Sequence, residues 1–460
     1  MPLSIAIAGS GPCALALSRA LSPLPHTLFC PPDAGHGAGL QLSGGLAALR
    51  GVLSSEDFER LLAAGRPLTS VRSETYPDPA EGEEGEPLLS FNVTALLSSS
   101  PLLALPAAAG RPADACSRTI LRPALVAALQ PPPPCCTLVP SPVTAVSLAS
   151  PSSYSLSTPP SDDDESPSDD DESPRGPSSH GPFDLLLVCT GAAAASLPVP
   201  SLPARRRLYA GLRLSYALSP PARPPGDRGE LRQLFGRGGY ALLGSYRNGT
   251  EAPRPGEVRE LAAQELAAQE LDMACVVYPD LSRRVENAGW LGEGSGLARF
   301  SARLAAAGLP PDCDAATVAA AATSFADVGV YWTDPFKPWL SSPAPPGGAA
   351  PLAALLGDAA HAAPPFLGTG ANAALVDAAL VGRLVREFVE GGGGGGAQAL
   401  RELLAKEYVD KRRPVTAGLL AKAAALGYLE VFGGPVRDAV FRLLAFFKVP
   451  EFVYKQNAES

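Results

Sequence analysis

The first residues with a recognisable chemistry are Gly9, Gly11 and Ala14, in the spacing Gly-x-Gly-x-x-Ala. They follow an apolar run over residues 3–8 and precede a helical pattern that ends near Pro23. Glycines at this spacing let the backbone approach a pyrophosphate closely, and the start of the helix offers unpaired N–H groups to its oxygens. The pattern predicts a strand–turn–helix unit that binds a dinucleotide through Gly9, Gly11, Pro12, Cys13 and Ala14.

The position that should contact a ribose departs from this pattern. In dinucleotide-binding units an acidic residue ends the second strand, about 20 residues after the glycines. This chain has Cys30-Pro31 there, and the nearest acid is Asp33. The strand–turn–helix context nevertheless favours a nucleotide site over a βα turn without a ligand.

A longer motif lies at residues 357–378, which read GDAAHAAPPFLGTGANAALVDA. This segment closely resembles the second FAD fingerprint of the para-hydroxybenzoate hydroxylase superfamily, the FAD-dependent aromatic-ring hydroxylases. The resemblance implies that Asp358 contacts the ribityl and pyrophosphate region of FAD, and that the next helix begins at the isoalloxazine. The start of a helix can stabilise negative charge on a reduced flavin. The implied FAD contacts are Gly357, Asp358, Pro365, Gly368, Thr369, Gly370, Ala371 and Asn372.

Shorter segments fit the same family. Residues 37–42 resemble the loop after the second strand, which implies contacts from Gly39 and Gln41. Arg118-x-x-Leu121 resembles the start of the family helix whose arginine holds the FAD phosphates, although a surface arginine on an amphipathic helix is an equal alternative. Thr190 and Gly191 stand where the family carries an Ala-Asp-Gly motif.

Three departures from the family concern polar contacts. Thr190 replaces the aspartate that the family links to FAD and to nicotinamide handling, Cys30 replaces the ribose-binding acid, and no arginine follows Ser196 where one is common. The backbone contacts and Asp358 remain, so FAD binding is expected to survive. Reduction of the flavin by NAD(P)H is the step that these substitutions place in question.

The resemblance implies an oxidoreductase, a FAD-dependent monooxygenase. Such an enzyme uses transiently bound NAD(P)H and O2 to hydroxylate or epoxidise an apolar or aromatic small molecule through a flavin peroxide. No catalytic residue is assigned, because the cofactor carries the chemistry. The alternatives are a flavin-binding paralogue with weakened or lost turnover and an interaction or sensing role, and an interaction module without FAD. The intact Asp358 fingerprint argues against the last.

Composition excludes other classes of function. The chain has 460 residues and a net charge of −9, of which the acidic runs at 162–165 and 169–172 supply eight charges. The remainder is almost neutral, which gives no electrostatic reason to expect nucleic acid as a partner. Eight cysteines form no Cys-x-x-Cys pair, so neither a metal site nor a disulfide framework is expected.

The absence of a signal peptide and of a long apolar run favours a cytoplasmic protein without an integral membrane segment. The oligomeric state stays open.

The fold class predicted from these elements and the resemblance is α/β. It comprises a three-layer ββα (Rossmann-like) FAD/NAD(P)-binding domain, an inserted mixed-sheet substrate domain and a C-terminal helical tail. The FAD domain is assigned to residues 1–72, 101–200 and 350–390, and the substrate domain to 73–100 and 205–349. The helical tail covers 391–460 after a run of glycines. Within the FAD domain, residues 151–182 are predicted to be a disordered acidic insertion in a hairpin, and residues 118–129 a helix.

Overall fold

The computed structural model describes residues 3–32, 37, 39–76, 86–105, 114–160, 177–191, 194, 197–224, 226, 228–247, 270–282, 289–291, 293–343, 350–432 and 434–459. The strands and helices of the first part of the chain are β1 (Ile5–Ala8), α1 (Pro12–Leu21), β2 (His26–Phe29), β3 (Gly39–Leu42), α2 (Gly44–Arg50), α3 (Ser55–Ala64), β4 (Arg66–Pro67), β5 (Ser70–Thr75), β6 (Glu86–Asn92), α4 (Val93–Ser98), β7 (Ala104–Leu105), β8 (Asp114–Ala115), β9 (Arg118–Leu121), α5 (Arg122–Leu129), β10 (Cys136–Val139), β11 (Ala145–Ser150), β12 (Ser153–Thr158), β13 (Ser178–Phe183) and β14 (Leu185–Val188).

The elements of the second part follow in the same order. They are β15 (Arg207–Ser219), β16 (Glu230–Phe235), β17 (Tyr240–Arg247), β18 (Glu270–Pro279), β19 (Gly289–Leu291), α6 (Glu293–Ala306), α7 (Asp314–Ala320), β20 (Ser324–Thr333), β21 (Leu352–Leu355), α8 (Asp358–His361), a 3-10 turn (Pro365–Leu367), α9 (Gly370–Glu390), α10 (Gly396–Leu404), a π-helical turn (Ala405–Val409), α11 (Asp410–Phe432), α12 (Gly434–Phe446) and α13 (Val449–Glu459).

A parallel sheet of five strands, in the order β10-β2-β1-β14-β21, forms the centre of the first domain. Strands β1, β14 and β21 are apolar and buried throughout, as expected for a parallel sheet that is covered on both faces. Helices α1 and α9 pack closely together, and a Cβ atom on Gly382 would lie 2.4 Å from that of Ala20. The antiparallel sheet β11-β12-β13 covers the other face, with Phe183 against Phe29. The predicted three-layer ββα domain is confirmed.

A larger mixed sheet forms the second domain. Its main path runs β19-β20-β15-β18-β17-β16-β5-β6, and β3, β4 and β9 pair at its margin. Neighbouring strands are antiparallel except at β16–β5 and β17–β9. Helices α6 and α7 cover one face through a core that contains Phe300 and Phe325, and Phe441 of α12 packs against Phe235 from the sheet. The inserted mixed sheet and the helical C-terminal region are therefore both present.

Two of the expected local structures were wrong. Residues 118–121 form strand β9, and the helix begins only at Arg122. Pro123 explains the boundary, because proline lacks the N–H that a continuing helix would need and is favoured in the first helical turn. The predicted disordered insertion also includes two strands, β12 and β13, which pair with each other. The acidic runs themselves lie outside the described residues, and the predicted domain boundaries stay a prediction.

The helical run Gly396–Phe432 is long and apolar enough to cross a membrane by length and composition, and 33% of its most apolar stretch is buried inside the protein. Two buried polar side chains, Arg412 and Glu430, face the rest of the protein from this run. Polar side chains in such contacts are typical of a helix that packs on a folded domain.

Candidate functional site

A groove of about 670 Å³ lies beyond the carboxyl ends of β1 and β14, between the starts of α1 and α9. Ligands of open α/β sheets bind at this edge. Half of the residues predicted to bind the cofactor line this groove, namely Gly9, Gly11, Pro12, Cys13, Thr190, Gly191, Asp358, Gly370 and Ala371. Ala14 and Gly357 are buried directly behind its wall.

The glycine turn at the start of α1 leaves open space in the groove. Gly9 has φ +143°, and a Cβ atom there would lie 2.5 Å from the carbonyl oxygen of Cys189. Only glycine fits such a position. Gly11 has an extended backbone (φ −80°), and a Cβ atom there would meet nothing within 4 Å. The turn is therefore held tightly at Gly9 and is accessible to a ligand at Gly11.

The opposite wall of the groove carries polar groups. The hydroxyl of Thr190 is buried and makes no hydrogen bond within the described part of the chain, which is unusual for a buried polar group and indicates a missing ligand. Asp358 faces the groove at the start of α8. The Asp358 side chain is exposed to the groove, but the protein around it reduces its solvation and so raises the pKa of its carboxyl, although His361 and Arg207 act to lower it. An open glycine turn, a helix start, an unpaired hydroxyl and a carboxylate together fit a dinucleotide such as FAD.

The arginine that reaches the groove is Arg122, which the sequence reasoning missed. Arg118, the predicted phosphate-binding residue, is buried in strand β9 and donates from one guanidinium nitrogen to the carbonyl oxygen of Ser117 at 2.8 Å. Two consecutive Arg-x-x-Leu matches occur, Arg118 to Leu121 and Arg122 to Leu125. Pro123 was the signal that could have identified the second match as the start of the helix.

A second cavity, of about 340 Å³, lies between the large sheet and the C-terminal helices. We call it the chamber. The remaining predicted residues line it instead of the groove, namely Gly39, Gln41, Pro365, Gly368, Thr369 and Asn372. Its other walls are mostly apolar, with Leu89, Leu214, Leu242, Val277 and Leu426 among them. Apolar walls with few polar groups are typical of small-molecule sites.

The groove and the chamber meet at the start of α9. Gly370 and Ala371 line the groove, whereas Thr369 and Asn372 line the chamber. Asn372 fixes this junction. Its side-chain oxygen accepts from the N–H groups of Ser43 at 2.8 Å and Gly45 at 3.0 Å. Its side-chain nitrogen donates to the carbonyl oxygens of Gln41 and Gly368, both at 2.9 Å. A ligand that lies along the groove would therefore reach the chamber at a rigid point.

Comparison with known proteins agrees with this geometry. Residues 353–423 match the sequence profile of the FAD binding domain family. Among solved structures, Klebsiella pneumoniae HpxO complexed with FAD and uric acid has a TM-score of 0.67 at 18% identity, over 99% of this chain and 96% of that chain. The matched FAD-binding segment and the shared fold make the chain a flavoprotein with the aromatic-hydroxylase fold. A salicylate hydroxylase substrate complex has a TM-score of 0.59 to this flavoprotein at 14% identity, over 99% of this chain and 98% of that chain.

The likeness extends to further enzymes with this fold. The 2,6-dihydroxypyridine-3-hydroxylase of Arthrobacter nicotinovorans has a TM-score of 0.60 to the flavoprotein at 12% identity, over 94% of each chain. A search by sequence among curated proteins gave no significant match. At these identities the solved structures establish the fold of the flavoprotein, and its substrate must be argued from its own residues.

A buried ionic network holds the turn that carries Asp358 in the flavoprotein. Asp377 of α9 is fully buried and accepts from His361 at 2.6 Å and from Arg412 at 2.9 Å. It also accepts from the N–H of Gly357 at 3.2 Å, next to Asp358 in the chain. Burial would raise the pKa of Asp377, but His361 and Arg412 lower it below its ordinary value. Helix α9, the Asp358 turn and the C-terminal helices are thus linked through one carboxylate.

Proposed function

We propose that this flavoprotein is a monooxygenase that uses NAD(P)H and O2 to hydroxylate or epoxidise an apolar or aromatic small molecule. The observation that carries the proposal is the junction at the start of α9, where a groove suited to a dinucleotide lies next to a mostly apolar chamber. A ring system placed at this junction would face a substrate in the chamber. The uric acid bound to HpxO, which shares this fold, supports an aromatic substrate.

Residues of the groove would hold the cofactor by its polar parts. The open turn at Gly11 and the first N–H groups of α1 suit the pyrophosphate, with the guanidinium of Arg122 on the same wall. Asp358 suits the ribityl hydroxyls as a hydrogen-bond acceptor. Thr190 would satisfy its unpaired hydroxyl on the cofactor.

Bound FAD would supply the redox chemistry between the nicotinamide and oxygen. The protein contributes the surroundings. The start of α9 places a positive dipole end at the junction, where it would stabilise negative charge on a bound ring. The mostly apolar walls of the chamber would limit the access of water to the reacting atoms.

The direct test is reduction of the FAD-loaded protein by NADH and by NADPH in air. We expect one of the two nucleotides to bleach the flavin absorbance and to be oxidised, with consumption of oxygen. A flavin that neither nucleotide reduces would contradict the proposal. It would favour the second candidate, a flavin-binding protein with weakened turnover, to which the uncharged Thr190 in the groove points.

Asp358 gives a prediction on cofactor affinity. We expect Asp358→Ala to weaken FAD binding by about tenfold or more, since hydrogen bonds to a charged group contribute about 1.5–3 kcal/mol. The affinity of the parent protein should also fall on acidification, beginning at a higher pH than for an ordinary aspartate, because the pKa of Asp358 is raised. Fluorescence titration with FAD would measure both effects. Glu402→Gln, on the exposed face of α10, is the matched control. Equal affinities of Asp358→Ala and this control for FAD would contradict the role of Asp358 in cofactor binding.

A further inference from the structure

A buried carboxyl group lies in the wall of the chamber and has no role in holding FAD. Glu430 of α11 is 2% exposed. Its Oε1 atom accepts a hydrogen bond from Nε2 of Gln233, on strand β16, at 3.2 Å. Its Oε2 atom makes no hydrogen bond within the described residues. An unpaired buried oxygen at the surface of a cavity indicates a missing hydrogen-bond partner.

The Gln233 amide lies between two polar side chains. Its Oε1 atom accepts from the hydroxyl of Ser73 at 2.7 Å, and its amide nitrogen faces Glu430, to which it can only donate. Oε1 of Glu430 must accept, so a proton on this carboxyl would lie on Oε2, the atom without a partner.

The surroundings keep the Glu430 carboxyl neutral. Burial raises its pKa to about 8, against smaller lowering effects from Gln233, from Arg437 and from the nearby Tyr240 hydroxyl, which does not reach Oε2 in hydrogen-bond geometry. Arg437, on α12, does not form an ion pair with this carboxyl. Its guanidinium donates to Asp438 at 2.7 Å and to the carbonyl oxygens of Gly236 and Glu430 at 3.0 and 3.2 Å. At neutral pH the Oε2 atom of Glu430 is thus a hydrogen-bond donor.

We propose that Glu430 orients the substrate by donating a hydrogen bond from Oε2 to a carbonyl or hydroxyl oxygen of an uncharged aromatic molecule, with Gln233 as the residue that positions it. This inference rests on the proposed function, since it takes the chamber to be the substrate site. It narrows the substrate class to ligands that present one oxygen acceptor on an otherwise apolar ring system.

The charges of the chamber argue for an uncharged ligand. Among the described residues that line it, Lys422 is the one with a basic side chain, and its ammonium group donates to Gln456 at 2.8 Å. A carboxylate buried against Glu430 would lack a cationic partner, which is costly in an apolar cavity. We therefore expect the chamber to disfavour aromatic carboxylates.

Calorimetric titration of the FAD-loaded, full-length protein tests this proposal with three ligands of similar size. α-Tetralone carries one carbonyl oxygen, tetralin carries none and α-naphthoate is an anion. Each titration is made about one and a half pH units below and above the pKa of about 8. Below it, we expect α-tetralone to bind about tenfold more tightly than tetralin, and more tightly than α-naphthoate. A tenfold preference corresponds to one hydrogen bond of about 1.4 kcal/mol. Above it, the preference should disappear.

Variants of Glu430 distinguish the loss of its hydrogen-bond donor from a change in the structure of the chamber. Glu430→Gln keeps a donor that does not titrate, so the preference for α-tetralone should persist at both pH values. Glu430→Leu removes the donor and should lose the preference at both. Glu402→Gln, on the exposed face of α10, should behave as the parent protein.

Several outcomes would overturn the proposal. They are equal affinities for α-tetralone and tetralin, no measurable binding of either, tighter binding of α-naphthoate, or an unchanged pH dependence in Glu430→Gln. These readouts measure binding alone. A flavin that no nucleotide reduces would overturn the proposed monooxygenase activity without affecting them, so the two failures can be told apart.

Discussion

Gly11→Asp is expected to abolish FAD binding while the protein remains fully folded. Gly11 has an extended backbone that any residue adopts, and a Cβ atom there meets nothing within 4 Å. The new carboxylate would cap α1 and face the positive end of its dipole, which stabilises a helix by about 0.3–1 kcal/mol. It would also occupy the space proposed for the pyrophosphate. Placing like charges together costs several kcal/mol, so FAD affinity should fall on the order of a thousandfold.

Gly11→Asp should thus raise the stability of the FAD-free protein and lower its affinity for FAD. Thermal unfolding of the FAD-free protein measures the first, and fluorescence titration with FAD measures the second. Gly226→Asp is the matched control, because Gly226 is also open to a Cβ atom but lies outside the groove. Gly11→Ala adds bulk without charge and should weaken FAD binding less than Gly11→Asp does. If Gly11→Asp still binds FAD as the parent does, the groove is not the cofactor site.

Asp377→Ala is expected to cost about 3–5 kcal/mol of unfolding free energy, the loss that follows when one partner of a buried ion pair is removed. Arg412 and His361 would lose the carboxylate that they share, and the N–H of Gly357 would lose its acceptor. FAD retention should fall as well, since Gly357 precedes Asp358. Chemical denaturation and the flavin content of the purified variant measure the two effects.

The pH dependence of this variant gives an independent check. The pKa of Asp377 is lowered in the folded protein, so its stabilisation is complete above the pKa of about 3.9 in the unfolded chain and is lost as the pH falls further. The stability gap between parent and variant should therefore narrow in acid. Glu390→Ala, at the exposed end of the same helix, should change stability by less than about 0.5 kcal/mol. A loss of unfolding free energy of similar size in both variants would contradict the role of Asp377 as the shared partner of Arg412 and His361.

Local backbone requirements made the cofactor class readable from the sequence. A turn such as that at Gly9 accepts only glycine, because a side chain would overlap the carbonyl of Cys189. The segment around Asp358 is likewise continuous in sequence, so its resemblance to a FAD fingerprint did not depend on distant contacts. These two segments were enough to predict FAD, the ββα domain and the inserted sheet.

The details of the groove were harder to predict. Arg118 and Arg122 both fit the phosphate-binding pattern, and the boundary between β9 and α5 showed which one faces the groove. Pro123 marks that boundary in the sequence, but the pairing of β9 with β3 and β4, which keeps Arg118 in a strand, is a tertiary contact. The pairing of β12 with β13 was missed for a similar reason, because the acidic segment between them dominated the composition.

By itself, the sequence determined that this protein has a dinucleotide turn, a FAD fingerprint and no assigned catalytic side chain. Only the tertiary structure decided which residues form the chamber. Gln233 and Glu430 are separated by 197 positions in the chain, and neither stands in a recognisable motif. The unusual proton affinity of Glu430 comes from burial between a sheet and a helix. Burial is a property of the packed molecule, and no local pattern of residues records it.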